Sequence, residues 1–157
     1  MSLSFLETQD KIQLALHTFQ ASQEKTIALF LGGVESHGGW YGDSLAFLAN
    51  SGVTAYFLDR PGSGSSGGRR GDLRNPETLH SDLEEVIRWI QKKHPNTPMV
   101  LGAISWGAKP ALYFWFRAKT NPFKRLVLVT PGIFRKVDLS LGEKFLAVAA
   151  NMAAPFL

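Results

Sequence analysis

Hydrophobic residues along the chain gather in short unbroken runs, separated by stretches rich in glycine, serine and charge. Thr26–Leu31, Val53–Leu58, Met99–Ile104 and Leu126–Thr130 are each of strand length and apolar throughout. That pattern predicts strands buried on both faces. Between them the spacing becomes helical. Asp43–Asn50 carries Leu45, Phe47 and Leu48 and stops at Ser51-Gly52. Asn75-Pro76 supplies an N-cap followed by proline at the first helical position. Leu79, Leu83, Val86, Ile87 and Ile90 then recur on one helical face, until Pro95 ends the segment. Trp106–Lys119 reads as a third helix, apolar through Leu112, Tyr113, Trp115 and Phe116. Its Pro110 lies in or just beyond the first turn, where a missing N–H costs little. Ahead of these elements, Leu3–Glu7 and Ile12–Phe19 flank Thr8-Gln9-Asp10-Lys11 and read as a β-hairpin at a sheet edge. Beyond Pro131-Gly132 the pattern changes, and Lys144–Leu157 reads as an amphipathic or wholly apolar helix.

A hairpin followed by alternating strands and helices predicts an α/β fold. Its sheet is mostly parallel, with helices on both faces and the antiparallel hairpin at its N-terminal start. Right-handed crossovers bring the Gly32–Tyr41 loop, the Asp59–Gly71 loop and Ser105 to one edge of that sheet. His37 lies in the first of these loops. His17 reads as a surface or edge residue of the hairpin. His80 and His94 fall off the apolar helical stripe and read as solvated. All three are expected away from the strand-end edge.

Composition narrows the class. The chain has 157 residues, enough for one domain with a real core, with 45% hydrophobic and 19% charged residues. The net charge is +4, but the basic residues are scattered and Arg69-Arg70 and Lys92-Lys93 are only pairs, which argues against a nucleic-acid partner. The absence of cysteine excludes disulfides and thiolate metal sites. No metal or cofactor is expected. No secretory leader pattern opens the chain and no run reaches the roughly 18 apolar residues of a membrane span, so the cytoplasm is the expected compartment.

Candidate chemistry centres on Val100–Lys109. The apolar run ends abruptly at Ser105, and Trp106, Gly107 and a helical segment follow. A serine on a sharp strand-to-helix turn has its hydroxyl pushed outward beside the free N–H groups of the helix start, as a nucleophile requires. The usual pattern is G-x-S-x-G, and here Ala103 takes the first glycine position, with Gly102 one place earlier. The same string also fits a strand, turn and helix without chemistry. Gly62-Ser63-Gly64-Ser65-Ser66-Gly67 matches a dinucleotide-binding string, but that fingerprint needs a helix directly after the glycines. Here the helix is expected only from Asn75.

These segments in this order resemble the α/β-hydrolase superfamily, and within it the monoacylglycerol lipase/lysophospholipase-like group of serine aminopeptidase S33 type. The resemblance rests on the strand and glycine loop at 27–34 and on Asp59-Arg60-Pro61-Gly62-Ser63-Gly64-Ser65, similar to a D-x-x-G-x-G-x-S turn. It rests further on His94–Pro98, on Ser105-Trp106-Gly107-Ala108-Lys109 and on the strand ending at Pro131. It implies residues 1–132 as the N-terminal part of the core and 133–157 as the start of a lid. It implies Ser105 as acylated nucleophile, with the backbone N–H groups of Trp106 and Val34 as oxyanion donors. Gly32 replaces the histidine usual at the start of the oxyanion loop. In the family order the acid and the histidine follow the nucleophile, whereas after Ser105 this chain has only Asp138 and Glu143 and no histidine. The resemblance therefore implies an incomplete chain lacking its acid and base, with little turnover of its own. A Ser105–His37 dyad is the substitute within the chain.

The expected activity is hydrolysis of a small acyl ester or lipid. The alternative is a non-catalytic binding module of the same fold, with Phe145–Leu157 contacting a membrane surface or a second copy. The strand at Leu126–Thr130 is expected to expose an unpaired edge.

Overall fold

A computed structural model describes residues 1–71 and 75–133. The expected lid segment and the apolar stretch Phe145–Leu157 lie outside the described residues. Six strands form one sheet: β1 Ser2–Glu7, β2 Gln13–Phe19, β3 Thr26–Leu31, β4 Val53–Leu58, β5 Met99–Ile104 and β6 Phe123–Val129. Their spatial order is β1-β2-β4-β3-β5-β6. The first two strands run antiparallel, and β4, β3, β5 and β6 are mutually parallel. This is the mostly parallel sheet with an antiparallel N-terminal hairpin that the alternation predicts.

Among the described residues three α-helices cover it: α1 Gly42–Asn50, α2 Pro76–Lys93 and α3 Ala108–Arg117. The Asn75 side chain caps α2 by accepting from the Thr78 N–H at 2.8 Å, and Pro76 follows it directly. Because α2 starts there, the Gly62–Gly67 string opens no helix. It folds back instead, with the Gly62 N–H donating to the Gly67 carbonyl at 2.8 Å. The core lies in two layers. Leu14, Leu29, Leu101 and Tyr56 pack with Leu83, Val86, Ile90 and Phe114 of α2 and α3. Phe19, Ala55 and Phe57 pack with Leu45 and Ala49 of α1. The β6 strand ends the sheet of described residues, with Val127 and Val129 exposed.

Three histidine expectations are corrected. His17 is buried, because β2 is the second strand in from the edge and is covered on both faces. It lies opposite Phe57 of β4 and reaches Asp59 at the strand-end edge. His94 is not solvated either. It sits at the C-terminus of α2, where Nδ1 meets Glu24 Oε1 at 2.8 Å and Nε2 meets the Tyr56 hydroxyl at 2.6 Å. His80 is half-buried, because α2 packs on α3 and covers that flank with Tyr113 and Phe114.

Candidate active site

Parallel strands place their C-terminal ends on one edge, and the loops that leave β3, β4 and β5 meet there. Ser105 opens a short 3₁₀ turn, Ser105–Gly107, between β5 and α3. Its φ of 53° lies in the left-handed region, which a non-glycine residue rarely occupies and which strained turns at reactive sites do occupy. The Ser105 side chain is exposed. No side chain caps the turn, so its first N–H groups, that of Trp106 among them, have no intrahelical acceptor. Close packing fixes the turn from both sides. A Cβ on Gly107 would stand 2.3 Å from the Leu31 carbonyl oxygen and 2.7 Å from that of Gly32. The Gly132 N–H donates to the Ser105 carbonyl at 2.9 Å. Ala103 is fully buried and fits the place where glycine is usual, while Gly102 is the residue that lies against the Phe30 ring.

The glycine loop after β3 runs beside Ser105. A Cβ on Gly33 would lie 3.5 Å from Ser105 Cβ and 3.8 Å from its Oγ. Val34 is 53% exposed, and its N–H takes part in none of the described backbone hydrogen bonds. The structure thus brings Gly33 against Ser105, with Val34 and Trp106 next to them in sequence.

Three side chains of the loop after β4, those of Asp59, Arg60 and Ser63, clamp this glycine loop, and His17 of β2 backs Asp59; the sequence assigned none of them this role. Arg60 donates through Nε, at 3.1 Å, and through Nη2 to the Val34 carbonyl. Ser63 Oγ donates to the Ser36 carbonyl at 3.0 Å. Asp59 is fully buried, and its carboxylate accepts from the Gly38 N–H at 2.8 Å and the Ser65 N–H at 2.9 Å. His17 Nε2 reaches the same carboxylate at 2.9 Å. The other ring nitrogen, Nδ1, is buried without a partner. An Nδ1 proton there would have no acceptor, so the neutral ring carries its proton on Nε2 and donates it to Asp59. This histidine–aspartate pair has the outline of a catalytic one, but its other ring nitrogen has no described hydrogen-bond partner. The signal that could have found the clamp is the D-x-x-G-x-G-x-S turn itself, read as a support for the neighbouring loop.

His37 lies in the same loop as the N-cap of the 3₁₀ turn Gly38–Tyr41. Its Nδ1 accepts from the Gly39 N–H at 3.2 Å, and its ring leans on Trp40. That bond leaves the proton of the neutral ring on Nε2, which then cannot accept from a serine. None of the described hydrogen bonds involves Ser105 Oγ. Among the described residues, no group of three or more histidine, aspartate and glutamate side chains is arranged to hold a metal ion. No helix among them is long and apolar enough to cross a membrane.

Two hollows flank the Ser105 turn on the α2–α3 side. One, of about 40 Å³, is lined by Leu31, Leu58, Arg60, Leu79, Trp106 and Pro110. The other, of about 280 Å³, shares Leu79, Trp106 and Pro110 and continues between Pro76 and Tyr113.

The fold has known counterparts. The family model described as serine aminopeptidase, S33 matches residues 22–157. A soluble variant of monoglyceride lipase from Saccharomyces cerevisiae, solved with a substrate analogue, superposes with a TM-score of 0.77 at 17% identity, covering 99% of this chain and 52% of that one. The monoacylglycerol lipase of Paleococcus ferrophilus gives 0.67 at 21% identity, covering 92% and 53%. An esterase from Exiguobacterium antarcticum gives 0.70 at 19% identity, covering 83% and 46%. At these identities the likeness shows the fold, an α/β-hydrolase core. The chain spans about half the length of each of these structures. No curated protein matches the chain in sequence.

Proposed function

Because this chain belongs to the serine aminopeptidase S33 family, we propose that it carries the nucleophile and oxyanion donors of a serine hydrolase acting on carboxylic esters of lipase or lysophospholipase type. The observation that carries this reading is the backbone of Ser105, held left-handed at the junction of β5 and α3 beside Gly33 and Val34. The hydroxyl would attack the acyl carbonyl, and the tetrahedral oxyanion would take the N–H groups of Trp106 and Val34. Losing one such donor typically raises the barrier by roughly 3 kcal/mol. The acyl group passes to Ser105 Oγ as the bond to the alcohol breaks, and water then releases the acid. The apolar hollows beside Trp106 suit a hydrocarbon chain.

A serine hydroxyl needs a base to take its proton. The four histidines of this chain are held by other partners, so the base and its acid belong to sequence outside the described residues. The chain alone is therefore expected to show no ordinary esterase turnover. A fluorophosphonate probe on this chain and on a version extended downstream tests the reading. Labelling of the extended form that is lost on Ser105→Ala supports it. Labelling of neither form refutes it and favours a non-catalytic binding module. Ordinary turnover by the chain as it stands, abolished by Ser105→Ala, would show that the base lies within it.

A further inference from the structure

A third hollow, of about 600 Å³, opens on the other side of Arg60, away from the apolar pair. Val34, Glu35, His37, Arg60, Ser63 and Arg70 are among its lining residues. Arg60 is held by the carbonyls of Val34 and Pro61 and lies over the Trp106 ring, 5.5 Å from its centroid. Arg70 donates to the Gly64 carbonyl at 2.9 Å. A guanidinium has five N–H donors. The described bonds use three on Arg60 and one on Arg70, and no described hydrogen bond or ion pair joins either to a carboxylate. Backbone carbonyls orient these cations without neutralising them. Among the described residues Glu35 is the one carboxylate lining the hollow, and its charge acts on Arg60. Among the described lining residues, two cations stand against one anion, which leaves their part of the wall positive. Arg60 also lines the smaller apolar hollow. It therefore stands as a partition, with an apolar hollow on its Trp106 side and a cationic one on its Val34 side.

We infer that this cationic hollow receives an anionic head group, a phosphate or a carboxylate, on the alcohol of the ester substrate. The inference rests on the reading of Ser105 and Val34 given above, because Val34 borders the hollow and would bind the oxyanion from which the alcohol departs. Guanidinium groups suit both anions, since their parallel N–H donors match two oxygens at once.

The test needs no catalysis. The Ser105→Ala chain is labelled with 15N and titrated with glycerol 3-phosphate, glycerate and glycerol, three alcohols of similar size that differ in charge. The two anions are expected to shift the amides of Gly62 to Ser65 and to compete for one site, while glycerol leaves them unmoved. Binding of one anion alone also supports the site and names its head group. Arg70→Gln should weaken the anion about tenfold, roughly the loss of one charge-assisted hydrogen bond. Glu35→Gln should tighten it, and salt at about 1 M should weaken it. Glycerol binding as well as the anions, shifts elsewhere on the molecule, or an unchanged affinity in Arg70→Gln would each overturn the inference. Fluorophosphonate labelling reads the Ser105 proposal separately, so failure of either is distinguishable.

Discussion

Replacing Asp59 by asparagine keeps the shape of the side chain and removes its charge. The carboxylate is 0% exposed and accepts from the Gly38 N–H, the Ser65 N–H and His17 Nε2 at 2.8, 2.9 and 2.9 Å. An asparagine has one oxygen to offer. If that oxygen stays on Gly38, the amide NH2 faces Ser65 and His17, both donors. A tautomer change in His17 does not relieve this, because the proton moves to Nδ1, which is buried without a partner. Turned the other way, the oxygen accepts from Ser65 and His17, but the new NH2 then faces the Gly38 N–H, so two donors lack an acceptor in either arrangement. At roughly 1–3 kcal/mol each, the middle of the range is about 4 kcal/mol. For a chain of this size that lowers Tm by roughly 8–16 °C. Thermal and urea unfolding followed by circular dichroism would measure the loss. Amide exchange over residues 33–41 would show whether it is local to the glycine loop. If Asp59→Asn unfolds within about 1 kcal/mol of the parent and protection at Gly38 is unchanged, the clamp does not hold that loop and this account of it is wrong.

Other changes separate packing from chemistry. Gly107→Ala places a methyl 2.3 Å from the Leu31 carbonyl oxygen, a backbone atom that cannot swing aside, so urea unfolding should show a loss of at least 1–3 kcal/mol, in the range of about that size for overpacked cores. Gly33→Ala makes only an ordinary 3.5 Å contact with Ser105 Cβ. It should keep Tm while slowing fluorophosphonate labelling of the extended form, and a matching fall in Tm would refute that separation. A pH titration of stability should bend at both ends. Burial alone pushes the Glu24 carboxyl up, but hydrogen bonds from Thr54, His94 and Gln20 and the charge of His94 outweigh it and hold the carboxyl below its ordinary range. The stability it contributes is in place above the ordinary carboxylate pKa and is lost as pH falls through the lower folded value, so Glu24→Gln should flatten the acid limb of the urea midpoint. Burial, then the Glu24 charge, pushes the Tyr56 phenol up to about 12. Its contribution holds below the ordinary phenol range near 10 and fades as pH rises toward 12. Tyr56→Phe should flatten that alkaline limb, and an unchanged limb would refute the assignment.

The elements were legible because their signals are local. An unbroken apolar run such as Leu101–Ile104 says strand without any knowledge of its neighbours, and Asn75-Pro76 says helix start within two residues. The turn at Ser105 was legible for the same reason, and the substitution of Ala103 for glycine mattered little because the tight approach falls on Gly102 beneath Phe30. The clamp on the glycine loop was not legible. His17 and Asp59 are 42 positions apart, and His94 and Glu24 are 70 apart. Which histidine meets which carboxylate depends on strand order. A hairpin arm looks like an edge until β4 is known to lie against it, and only then does His17 become an interior residue.

That strand order also bears on what Ser105 lacks. At the edge where the parallel strands end, His17 is committed to Asp59 beneath Gly38. Near the starts of those strands, Glu24 just before β3 ties His94 to Thr54 and Thr97. His37 caps its own 3₁₀ turn, and His80 is packed against Phe114 and Tyr113. Each of the four imidazoles therefore has a position that its removal would disturb, and none has a described bond to Ser105 Oγ. A base recruited from among them would have to leave a partner that holds a loop, a helix end or a helix pair. For His17 that would strip a donor from a fully buried carboxylate and release the loop carrying Val34, the proposed oxyanion donor. A residue that must stay in place to keep the oxyanion loop formed cannot also travel to Ser105, so on the proposed reading His17, bonded as it is to Asp59, is a positioning residue of that loop and not the proton acceptor.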